Sequence, residues 1–237
     1  MFNAKQLLKS VFISLVAMTL AACGDGDTNS SETVTIKQPK KATVIMVFGD
    51  STSQGYGVEK YGEYYEDVPP GLMYADLLRN RLKAEKIDAF APITVINESL
   101  GSEFAFEAIR RLAYVLSVHR PTHVILAHGT NDARAAFPLS EISDDFLTMI
   151  NMVRNSGAKP LLADMTLTVR GTAYAAEYSN MVKQTALIGG ATYVPIVEDI
   201  IWNSKYVLND GYGYHYNVGA QPFMMNTLWK YIMPLFE

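Results

Sequence analysis

Cysteine is all but missing from this chain: Cys23 is the only one in 237 residues. One thiol closes no intramolecular disulfide and builds no Cys-rich metal site. Histidine is scarce too. The four present (His119, His123, His128 and His215) form no HExxH pair and no other dense ligand spacing. Neither a metal nor any other cofactor is expected. No basic run occurs and the formal net charge is −4, so nothing points to a nucleic-acid surface. There is no internal repeat and no sign of a second domain. With 49% hydrophobic and 19% charged residues, the chain has the apolar material for one sizeable globular core.

The N-terminus reads as a targeting segment. Lys5 and Lys9 form a positive n-region, and Val11 to Leu20 is an apolar stretch too short for a comfortable membrane span. Leu20-Ala21-Ala22-Cys23 follows, and small residues before a cysteine resemble the lipobox of bacterial lipoproteins. That resemblance implies a signal peptide over residues 1–22, lipidation of Cys23, and a membrane anchor in which each buried CH₂ contributes about 0.8 kcal/mol. A plain secretory signal with an incidental cysteine is the alternative. Gly24, not aspartate, follows Cys23, which favours delivery to the outer membrane or periplasmic face over inner-membrane retention. Residues 23–41 are polar and aperiodic and read as a flexible tether. Residues 42–237 read as the folded domain.

From Thr43 the pattern alternates. Candidate strands are Thr43–Phe48, Ile93–Asn97, His123–Ala127, Pro160–Met165 and Thr192–Ile196. Between them, apolar residues step by three and four. Leu78 and Leu82 mark one helix, and Ala105, Ala108, Ile109, Leu112, Val115 and Leu116 a second. Ile142, Phe146, Met149, Ile150 and Val153 mark a third, with Ser140 as N-cap and Gly157 past its end. Tyr178, Met181, Val182, Thr185 and Ile188 mark a fourth. A last helix starts near Gly219, carries Pro222 in its first turn and ends before Pro234. Its methionines (Met224, Met225, Met233) read as core packing. Alternating strands and helices imply an α/β fold with a parallel sheet covered on both faces.

The first strand stops at Gly49-Asp50-Ser51. Glycine and aspartate form turns, and aspartate and serine cap helices. A serine hydroxyl therefore sits at the carboxyl end of a strand, where open α/β sheets place their ligands. If a helical turn begins there, its unpaired N–H groups point at whatever that hydroxyl attacks. Three further stretches lie at strand ends or before a helix: Asn97-Glu98-Ser99-Leu100-Gly101, Gly129-Thr130-Asn131-Asp132, and residues 209–219 around His215. Serine needs a base, and His215, in a Gly-rich loop, is the best-placed imidazole. Asp210 is the nearest acid to orient it. The N–H of Ser51, the N–H of Gly101 and the side-chain amide of Asn131 supply an oxyanion hole, each worth about 3–4 kcal/mol of barrier. Asp50 reads as a turn residue and Asp132 as support for Asn131. His128 reads as a core residue or a pocket lining, His119 and His123 as surface or packing residues, and Glu98 and Glu103 as solvated charges.

These blocks resemble the GDSL/SGNH hydrolase family. Gly49-Asp50-Ser51 matches its first block, Gly101 its second, Gly129-x-Asn131-Asp132 its third and His215 its last. The resemblance runs from about Thr43 to Leu235, and within the family it leans toward small bacterial esterases with thioesterase and lysophospholipase activity. It implies a flavodoxin-like three-layer α/β/α sandwich with a central five-stranded parallel sheet, a Ser-His-Asp triad and hydrolysis through an acyl-enzyme. One departure stands out. The family writes its last block Asp-x-x-His, whereas Tyr212 lies three before His215 and Asp210 lies five before it. The expected protein is a lipid-anchored, monomeric hydrolase of small-molecule esters, possessing no cofactor and no nucleic-acid partner. A carbohydrate O-acetylesterase is an alternative, motivated by the tyrosine-rich connection 55–71, which reads as a substrate lid or as an ordinary surface loop. A catalytically weak lipoprotein that binds glycan or protein is a second, motivated by the Asp/His spacing.

Overall fold

The computed structural model describes residues 42–56, 71–85, 87, 91–208 and 211–236. The signal-peptide and tether readings, positions 57–70 of the tyrosine-rich connection, and Asp210 lie outside the described residues. Five strands, β1 (Thr43–Gly49), β2 (Ile93–Asn97), β3 (His123–Ala127), β4 (Lys159–Ala163) and β5 (Thr192–Val194), form one sheet in the order β2-β1-β3-β4-β5. Every pair is parallel. The helices are α1 (Ser51–Gln54), α2 (Tyr74–Ala84), α3 (Ala105–His119), α4 (Thr130–Arg134), α5 (Leu139–Asn155), α6 (Thr172–Gly189) and α7 (Gln221–Ile232).

Successive side chains of a strand point to opposite faces, and β1 divides accordingly. Ile45 and Val47 join the core beneath α2 and α7, with Leu78, Leu82, Met224 and Leu228. Met46 and Phe48 join the core beneath α3, α5 and α6, with Leu112, Phe146, Ile150 and Val182. The result is the expected three-layer sandwich with a five-stranded parallel sheet. Each fully buried apolar side chain of this size contributes about 1.5–3 kcal/mol, so the two cores together hold the layers.

Several boundaries differ from the sequence expectation, for local reasons. β5 stops at Val194 because Pro195 has no N–H to continue the ladder. β4 stops at Ala163: the Asp164 carboxylate accepts from the Thr166 N–H at 3.0 Å and turns the chain. α5 begins at Leu139 behind Pro138, whose fixed φ starts the turn, so Ser140 lies inside the helix instead of capping it. α7 begins at Gln221 after a 3₁₀ turn over Val218–Ala220. Ile188 is 73% exposed and does not belong to the buried face of α6.

The strand order sets where a ligand can bind. From β1 the chain crosses to β2 on one side, then returns to β3 on the other. The carboxyl ends of β1 and β3 therefore open onto a crevice at this reversal, the usual ligand site of open parallel sheets.

Candidate active site

β1 delivers Ser51 to that crevice. Asp50 caps α1, its carboxylate accepting from the Thr52 N–H at 3.1 Å and from the Thr130 hydroxyl. Asp50 thus ties the β1 turn to the β3 turn, the role read from the sequence. Burial pushes its carboxyl pKa upward, against the pull of His128, the Thr130 and Thr52 bonds, and His215. Gly49 must be glycine here. A Cβ would stand 2.7 Å from Ser53 and 2.8 Å from the Ala127 carbonyl, so the α1 turn is pressed directly onto the strand ends.

The Ser51 Oγ lies 2.9 Å from His215 Nε2, although 164 residues separate them. His215 is held from both sides. Its carbonyl accepts from the Leu208 N–H at 2.9 Å, beside the antiparallel bridge of Val207 and Tyr216. Its ring packs between Tyr56 and Tyr214, with centroids 4.1 and 4.3 Å away. Ser51 and His215 are both largely buried.

Of the two other expected donors, Gly101 approaches Ser51 and Asn131 is tied to the loops that carry Gly101 and His215. A Cβ on Gly101 would lie 3.6 Å from Ser51 Cβ, so the second loop reaches the serine. Asn131 sits in the first turn of α4. Its Nδ2 donates to the Glu103 carbonyl at 3.1 Å, and its Oδ1 accepts from the Tyr214 hydroxyl at 3.5 Å. Asn131 therefore bridges the Gly101 loop and the His215 loop. Asp132 supports this turn, accepting from the Ala105 N–H at 3.1 and 3.2 Å; burial pushes its carboxyl up to about 6 despite that bond.

Glu103 corrects the expectation of a solvated charge. It is buried, forks onto Arg111 at 2.9 and 2.5 Å, and meets His128 Nε2 at 2.9 Å. His128 is itself fully buried, which makes it a core residue and removes it from the pocket. Arg111 also donates to the Glu98 carbonyl at 2.6 Å and stacks over Phe48. His119 pairs with Glu98, and His123 packs on Phe236. No local pattern relates Glu103 to Arg111 and His128, since the partners come from a loop, a helix and a strand end.

Burial raises the Glu103 pKa, but the Arg111 and His128 bonds outweigh it and hold the carboxyl at about 2. Glu103→Gln is expected to destabilise the fold by about 2–3 kcal/mol near neutrality, discounted from a fully buried pair because Arg111 keeps some contact with water. A depressed carboxyl stabilises fully above its unfolded pKa of 4.5 and loses that contribution as pH falls toward about 2. Thermal melts of wild type and variant should therefore differ most near neutrality and converge over that acid range.

Two features had no sequence signal. The Gly101 N–H donates to Gln54 Oε1 at 2.7 Å, and Ser102 adopts φ +63°, a left-handed conformation that serine rarely takes.

A parallel sheet with an alcohol on an imidazole at its reversal point is the arrangement of a serine hydrolase. The profile of the GDSL-like lipase/acylhydrolase family matches residues 47–220, and the chain belongs to that family of carboxylic ester hydrolases. It is similar to an arylesterase of Vibrio mimicus, 25% identical over 182 residues, or 76% of this chain and 83% of that protein. It is also similar to thioesterase 1/protease 1/lysophospholipase L1 of Escherichia coli, 23% identical over 196 residues, or 82% of this chain and 85% of that protein. Among solved structures, the psychrotrophic esterase EstA of Pseudoalteromonas sp., inhibited by monoethylphosphonate, shares the fold with TM-score 0.68 at 24% identity, covering 81% of this chain and 98% of that one.

Proposed function

We propose that this enzyme hydrolyses small acyl esters through a covalent intermediate on Ser51. The Ser51 Oγ attacks the ester carbonyl carbon while His215 Nε2 takes the hydroxyl proton. The N–H groups of Ser51 and Gly101 and the Asn131 amide receive the developing oxyanion. His215 returns the proton to the departing alcohol, leaving the acyl-enzyme. Water then attacks, His215 accepts its proton, and Ser51 is regenerated as the acid leaves. Asp210 is assigned to orient His215. The observation that carries this reading is the 2.9 Å contact between Ser51 Oγ and His215 Nε2.

The substrate range extends in this proposal to thioesters and lysophospholipids, activities that belong by name to the E. coli relative. The test has two parts. A fluorophosphonate should modify the wild-type enzyme once, on the peptide containing Ser51. Short p-nitrophenyl esters, acyl-CoA, lysophospholipid and acetylated saccharide should then be compared by kcat/KM. An enzyme that prefers the acetylated saccharide is an O-acetylesterase instead.

Lipidation of Cys23 belongs to the same proposal and places a monomeric enzyme at the cell envelope. In a Gram-negative host, the full chain should partition with membranes, and Cys23→Ser should appear in the soluble fraction.

A further inference from the structure

We propose that Gln54 occupies the oxyanion hole of the resting enzyme and must be displaced by substrate. The inference rests on the serine-hydrolase reading above and adds a residue to it that sets the rate of attack. The Gly101 N–H, one of the donors assigned to the oxyanion, is already bonded to Gln54 Oε1 at 2.7 Å. That oxygen lies 2.6 Å from where a Gly101 Cβ would be, and the Ser51 Cβ lies 3.6 Å from the same point. An amide carbonyl oxygen thus sits on the donor that a substrate carbonyl needs, at a glycine that closely approaches Ser51.

The contact is not required to hold the Gly101 loop. Leu100 N–H donates to the Gly49 carbonyl at 2.9 Å, Asn97 Nδ2 to the Ser53 carbonyl at 2.8 Å, and Arg111 Nη1 to the Glu98 carbonyl at 2.6 Å. These three bonds fix residues 97–100, and the Asn131 amide, donating to the Glu103 carbonyl at 3.1 Å, fixes the chain beyond Gly101. Gln54 ends the α1 turn as an exposed side chain, free of core packing that would prevent it from swinging out.

Exchange with substrate is uneven. A neutral ester carbonyl is a weaker acceptor than the amide it must replace, so the ground state gains little. The charged oxygen of the tetrahedral intermediate forms a bond about twice as strong as a neutral one and displaces the amide. Gln54 then taxes every reaction by the strength of one neutral hydrogen bond.

The test compares Gln54→Ala, Gln54→Met and Gln54→Glu with wild type, by kcat/KM on p-nitrophenyl acetate and by the rate of fluorophosphonate inactivation. Alanine, and methionine, which keeps the bulk but removes the carbonyl, should raise both rates about 2- to 10-fold. Glutamate, a stronger acceptor whose charge also opposes the oxyanion, should lower both about 10-fold. Alanine or methionine variants that are no faster than wild type, while Ser51 is still modified, overturn the proposal and leave the hydrolase reading intact. A wild-type enzyme that the fluorophosphonate does not modify on Ser51 overturns the reading beneath it.

Discussion

Alanine at position 51 is expected to lower kcat by at least about 10⁴-fold while leaving the domain folded. The Ser51 hydroxyl is bonded to His215 Nε2, and the replacement removes the only atom that can form the acyl-enzyme in this scheme. The structural cost is small by comparison. One hydrogen bond is lost, worth about 1 kcal/mol, and a chain of this size should melt about 2–4 °C lower. Fluorophosphonate labelling should vanish together with turnover. Hydrolysis that persists in a folded Ser51→Ala enzyme would assign the nucleophile elsewhere.

Asn131→Ala should cost about 10²–10³-fold in kcat, with KM nearly unchanged. The amide is fixed at both of its polar atoms, Nδ2 on the Glu103 carbonyl and Oδ1 on the Tyr214 hydroxyl. Nδ2 carries two hydrogens, so its bond to Glu103 leaves the second for the oxyanion. Because this donor is oriented before substrate arrives, it loses no reorganisation energy during the reaction, and its removal falls on the transition state. Asn131→Asp keeps the shape and replaces a donor with a negative charge, so its loss should be at least as large. A change confined to KM would mean that Asn131 binds substrate without stabilising the oxyanion.

What could be read ahead of the structure was set by local chemistry. The β-branched run of β1 and its stop at Gly49-Asp50-Ser51 declared both strand and turn, since burial and turn formation are properties of neighbouring residues. The blocks carrying Gly101, Asn131 and His215 were legible because each lies where a strand ends or a helix begins. Proline explains two misplaced boundaries: Pro195 ended β5 early and Pro138 started α5 early. The burial of Glu103 could not be read. Its charge is compensated by Arg111 eight positions on and His128 twenty-five positions on, and only the folded chain brings them together. The Gln54 contact was hidden for the same reason, since its partner Gly101 is 47 residues away.

Ser51 follows β1 at the start of the domain, and His215 lies in the last loop before α7. No chain that ends before His215 contains both. The enzyme stays silent on the ribosome until almost its whole length has emerged, and it loses activity at the first event that lifts the C-terminal helix from the sheet. Turnover therefore reports the integrity of the entire domain, and limited proteolysis after position 205 should silence it while most of the secondary structure persists.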